Sequence, residues 1–106
     1  MIVNILGTEY TFKTDDLNNR DLAMSDGLCR IYEKEIILRK KEFMDAGTDK
    51  GTEYRFDHVI RHELIHAFAE ESGVSYGDDE KIVDWIAHMI PLINQAFEKI
   101  KTEMSE

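Results

Sequence analysis

The apolar residues change their period near Thr52, and this change constrains the fold more than any other feature of the chain. Beyond it Phe56, Val59, Ile60, Leu64, Phe68 and Ala69 recur at steps of three and four, the mark of an amphipathic helix. Gly73 follows Ser72 as a helix stop, because glycine adopts positive φ at little cost. Gly77-Asp78-Asp79 opens a second helix, with Asp78 as the expected N-cap. Its stripe runs through Ile82, Trp85/Ile86, Met89, Ile93, Phe97 and Ile100, and Trp85 is expected in the core. Pro91 interrupts the stripe and predicts a kink or split near 88–90, since proline cannot donate to the carbonyl of Ala87.

Before Thr52 the signals are those of strands. Residues 2–6 and 10–13 read as two short strands around a Gly7-Thr8 turn, with Tyr10 and Phe12 alternating with polar neighbours. Residues 15–24 are at best a weak helix. Residues 28–32 and 35–39 form a second strand pair with the bend at Glu33-Lys34, and 43–51 reads as loop. Strands first and helices second predict an α+β fold. A length of 106 residues allows a single domain with one modest core.

Charge narrows the partners. Thirteen Lys and Arg stand against 22 Asp and Glu, and the net charge of −9 repels phosphate backbones, so no nucleic-acid partner is expected. The one basic run, Arg39-Lys40-Lys41, reads as a solvated strand end. No apolar run approaches the ~20 residues of a membrane span, and the first residues lack the features of a signal peptide. A cytoplasmic protein without a membrane partner is the expectation. The single cysteine, Cys29, excludes an intrachain disulfide and fits a reducing compartment.

The residues that carry chemistry are His62-Glu63-Leu64-Ile65-His66, an H-E-x-x-H motif inside the stronger helix. Positions i and i+4 share a helix face, so both imidazoles can meet one Zn²⁺. Glu63, one step aside, is placed to take a proton from a water on the open side of that ion. A catalytic zinc needs a third protein ligand. Glu70 lies one turn too far along the same helix and reads as a solvated carboxylate. Glu80 at the start of the second helix is the favoured ligand. Asp84, one turn later, is placed to accept the N–H of a ligand histidine and fix its tautomer. His88 is a rival third ligand. Cys29 reads as a small buried strand residue, with a fourth, inhibitory ligand as the alternative. His58, one turn before His62, reads as a surface histidine, with a place lining the cleft as the alternative.

With those residues in place the sequence resembles the gluzincin metallopeptidases, and its size resembles the minigluzincins. The stretches RHELIHAFAEESG and DEKIVDWIA also resemble small metallopeptidase-like proteins of prophages and mobile elements in Gram-positive bacteria. The likeness spans residues 27–91. It implies a minimal zincin-like fold, with a small sheet packed on the motif helix and a glutamate-bearing helix behind it. It also implies a zinc-dependent endopeptidase in which His62, His66 and Glu80 bind Zn²⁺, Asp84 supports them, and Glu63 assists attack by the zinc-bound water. Peptide or protein substrates would pair with an edge strand, 28–32 or 35–39. Tyr76 and His88 are the available candidates for stabilising the oxyanion, with packing and solvent contact as their alternative roles. Two other readings are a phage-associated regulatory or interaction module that binds metal with little turnover, and a purely structural zinc.

Overall fold

Four strands and two long helices follow one another in the computed structural model, which describes residues 1–15, 22, 25–44 and 47–105. Strands β1 (Ile2–Ile5) and β2 (Thr8–Asp15) form an antiparallel hairpin in which Ile5 faces Thr8. Its two-residue turn is Leu6-Gly7, one position earlier than expected. Both residues have positive φ (52° and 93°), the geometry whose twist suits a two-residue hairpin. Leu6 accepts a left-handed conformation there, and the Asn4 side chain accepts a hydrogen bond from the Gly7 N–H at 2.9 Å. Strands β3 (Gly27–Arg30) and β4 (Glu35–Arg39) pair antiparallel, and β4 runs parallel to β2. The sheet order β1-β2-β4-β3 makes a mixed sheet with β1 and β3 at its edges. The proposed helix over 15–24 falls mostly outside the described residues, and Asp15 itself ends β2.

Helix α1 (Asp49–Ser72) starts three residues before Thr52, with Thr48 as its N-cap accepting from the Gly51 N–H at 3.0 Å. It ends where expected, on Gly73 at φ 74°. One face of the sheet packs against it. Ile5, Tyr10, Ile36, Leu38 and Ala67 are buried together, with Val3, Phe12, Cys29, Val59, Ile60 and Leu64 packed around them. Phe68 is not part of this core: it is 43% exposed, and the small Ala67 faces the sheet instead. Beside the core, Glu71 accepts from Thr8 Oγ1, Tyr10 Oη and Lys34 Nζ at 2.7–2.9 Å. These partners hold its carboxyl down to about 2, Lys34 foremost.

A short 3₁₀ turn, Ser75–Asp78, leads into α2 (Glu80–Met104). The N-cap is Asp79, not Asp78: its carboxylate accepts from the N–H groups of Lys81 and Ile82 at 3.0 and 3.2 Å. Pro91 neither splits nor ends the helix. The carbonyl of Ala87, which proline leaves without its helical donor, accepts instead from Arg61 Nε of α1 at 3.0 Å. That satisfies the group whose loss would otherwise break the helix. Trp85 is 61% exposed and lies outside the core; Val83 and Ala87 are the buried residues of α2. Arg39 also departs from expectation. It is buried, with its Nε 3.2 Å from Asp26 and its Nη2 donating to the Ser25 carbonyl at 2.9 Å.

Candidate metal centre

Helix α1 presents His58, His62 and His66 at four-residue intervals on one side, where the start of α2 comes alongside. His62 Nε2 lies 2.9 Å from Glu80 Oε2, His66 Nε2 lies 2.8 Å from Glu80 Oε1, and the two Nε2 atoms are 3.3 Å apart. Two ligands of a tetrahedral zinc with bonds near 2.05 Å stand about 3.3 Å from each other. The three donor atoms therefore have the spacing of one face of a slightly contracted zinc tetrahedron.

The opposite nitrogens of the rings explain why this arrangement calls for a cation. His66 Nδ1 is 2.7 Å from the Gly77 carbonyl, which can only accept, so Nδ1 carries the proton. His62 Nδ1 faces Asp84 Oδ1 at 3.5 Å, again an acceptor. In the neutral rings both Nε2 atoms then present lone pairs to each other and to the Glu80 carboxylate. Three converging acceptors repel unless a proton or a metal ion lies among them. Two imidazoles and a carboxylate are a common donor set for zinc, with a fourth position left for water. The residues present fit Zn²⁺.

Asp84 does more than face His62. Its Oδ1 is 2.7 Å from His58 Nε2, and this hydrogen bond is the main cause of its lowered pKa. His58 is thus part of the cleft and not a surface residue. Its Nδ1 is buried without a partner among the described residues. His58, His62 and Asp84 make a second set of donor atoms close enough to share an ion, overlapping the first at His62.

Glu63 is buried, 7% exposed, and lines a cleft of about 570 Å³ together with the two motif histidines, Glu80 and Asp84. Burial raises its pKa to about 7; the neighbouring His66 acts against this rise and Glu80 adds to it. Strand β3 forms the opposite wall with Gly27, Leu28 and Cys29. Among the described residues β4 is an interior strand, and of the two expected edge strands β3 is the one at the sheet edge beside the cleft. Burial pushes the Cys29 thiol up to about 12, so it keeps its proton. Cys29 belongs to neither donor cluster.

Two other sequence candidates lie elsewhere. Tyr76 lines a separate groove with Phe68, Ile86 and Ile90, away from the cleft. His88 hydrogen-bonds through Nδ1 to the Tyr54 hydroxyl at 3.0 Å and joins neither donor cluster. Glu70 is exposed and outside the donor set, as expected. Two glycines carry roles that the sequence did not reveal. A Cβ on Gly27 would stand 2.8 Å from Val59 Cγ1 and 2.9 Å from Glu63 Cγ, so only glycine lets β3 close over Glu63. A Cβ on Gly77 would stand 2.6 Å from the Cβ of Ala69, and it is the Gly77 carbonyl that orients His66. The signal for His58 was present in the sequence as a third histidine at the same four-residue spacing.

No protein-family model matches the chain, and neither curated proteins nor solved structures give a match.

Proposed function

We propose that the protein is a zinc-dependent metallopeptidase of the minimal gluzincin kind, acting on peptide or protein substrates. The observation that carries the reading is the convergence of two bare imidazole nitrogens and one carboxylate within 2.8–3.3 Å. His62, His66 and Glu80 would hold the ion. When bound, zinc supplies Lewis acidity: it lowers the pKa of water and polarises a carbonyl. Asp84 and the Gly77 carbonyl fix the histidine tautomers that make those residues ligands.

Glu63 takes a proton from the attacking water and returns it to the leaving amine; its place on the cleft wall beside the three donor residues puts it within reach of both. An extended substrate adds to the edge of β3, which brings a peptide bond along the cleft wall opposite Glu63. Among the described residues no helix is long and apolar enough to cross a membrane. Work in the cytoplasm belongs to this proposal.

The test joins metal analysis to a peptide-library digest. Wild-type protein is expected to carry about one zinc per chain and to cleave. Glu80→Ala should lose the metal, and Glu63→Gln should keep it and lose cleavage. Equal metal content in wild type and Glu80→Ala would overturn the ligand set. A fully loaded protein that leaves every peptide intact would overturn the peptidase and favour a metal-binding module.

A further inference from the structure

Helix α2 leaves the body of the protein after Pro91, and every residue from 92 to 104 is exposed. At about 1.5 Å per residue the arm projects roughly 20 Å. The arm is also strongly apolar. Ile93, Phe97 and Ile100 are 57–59% exposed and Met104 82%, and the stripe continues toward the body through Ile82 and Trp85.

The stripe has a particular symmetry. Ile82, Ile86, Met89, Ile93, Phe97, Ile100 and Met104 succeed one another at steps of four, three, four, four, three and four. Read backwards from Met104 the steps are the same. At about 100° per residue these seven side chains fall within roughly 80° of one another around the helix. A second α2 laid antiparallel, with a two-fold axis at Ile93, sets Ile82 against Met104, Ile86 against Ile100, and Met89 against Phe97. Ile93 meets its own counterpart. A two-fold interface requires a surface complementary to itself, and this stripe meets that condition at every level.

Charge and area favour the same occupant. Residues 85–105 carry two lysines and two glutamates, whereas residues 1–84 carry eleven basic and nineteen acidic groups. The acidic bodies repel each other, the neutral helix does not, and an antiparallel pair holds the two bodies at opposite ends. The exposed apolar side chains offer on the order of 700 Å², near the ~800 Å² per partner of a standard interface and above the ~300–600 Å² patch of an ordinary monomer.

We propose that the protein pairs with a second copy of itself through an antiparallel contact of the α2 stripe centred on Ile93. Glu80, Asp84 and His88 lie on the other side of α2, so the metal cleft stays open in the pair.

Sedimentation of the wild-type chain at micromolar concentrations is expected to give twice 12.4 kDa. Ile93→Asp places two carboxylates face to face on the axis and should weaken the pair at least ~100-fold. Residue 93 is exposed, and helical circular dichroism checks that the variant folds. Independently, in a Cys29→Ser background, Ile93→Cys should oxidise to a cross-linked pair, and Gln95→Cys, on the opposite side of the helix, should not. A single-chain mass for wild type at every concentration overturns the proposal and leaves the stripe to a partner of different sequence. A pair that Ile93→Asp does not weaken, or that cross-links equally through 95, overturns the antiparallel register. None of these readouts depends on bound metal or cleavage, so the peptidase reading can fail without them.

Discussion

Glu63→Gln should make the metal-free protein more stable at neutral pH, even though the substitution removes the proposed base. In the folded chain the Glu63 carboxyl ionises near 7, and its ordinary value is 4.5. Below 4.5 it is protonated in both the folded and unfolded chain, and its burial costs no ionisation energy. As pH rises, the unfolded chain gains a well-solvated carboxylate that the folded chain cannot match in its dry setting. Stability present at pH 4.5 is therefore lost as pH climbs to about 7, and the loss is complete above that. The interval corresponds to about 3 kcal/mol at about 1.4 kcal/mol per pH unit. The neutral amide of glutamine has no such titration. Urea unfolding of both proteins in chelator, at steps from pH 4.5 to 8.5, measures the difference directly. The histidines titrate in both proteins, so the quantity of interest is the gap between the two curves. It should open by about 3 kcal/mol toward the alkaline end and shrink when zinc is restored, because a nearby cation favours the charged carboxylate. Parallel curves would refute the claim that burial governs Glu63.

Three further outcomes follow from the same geometry. Asp84→Asn keeps the shape of the contact but removes the charge facing His58 and His62, and zinc affinity should fall about 10–100-fold in a competition titration. Gly27→Ala forces a methyl against Val59 and Glu63; it should cost about 1–3 kcal/mol in denaturant and lower kcat more than metal content. Arg61→Met removes the donor to the Ala87 carbonyl beside Pro91. A cost of about 1–3 kcal/mol is expected, and helical content unchanged by the loss would contradict the role assigned to Arg61.

Much of the site was legible in the chain because it depends on local helical geometry. Four-residue spacing puts His62 and His66 on one side of a helix whatever the rest of the protein does. The acids at 80 and 84 stand at the start of another helix for reasons that are also local. His58 was misread because spacing alone does not say whether a third histidine meets a partner, and its partner Asp84 comes from another element. Gly27 stands just before a strand and Gly77 just before a helix, and neither place signals a packing role. Their importance lies in what a Cβ would strike, and those neighbours, Val59 and Glu63 for Gly27 and Ala69 for Gly77, are 32, 36 and 8 residues away in the chain. Arg39 resembled a solvated strand end because a basic run carries no sign of the Asp26 that pairs with it.

The α2 helix divides the two kinds of information most clearly. Its sequence determined that it would be amphipathic and that Pro91 would leave one carbonyl without a donor, since both follow from side-chain period and covalent chemistry. Whether the helix would break there, and whether the stripe would be covered, depended on distant residues. Arg61 reaches across from α1 to the free carbonyl, and among the described residues Trp85 and Ile93 stay exposed. Periodicity, caps and ligand spacing act within a few residues and can be read along the chain. Which apolar face is buried, which polar atom finds a partner and which glycine cannot be replaced are set by contacts between elements, and only the packed structure decides them.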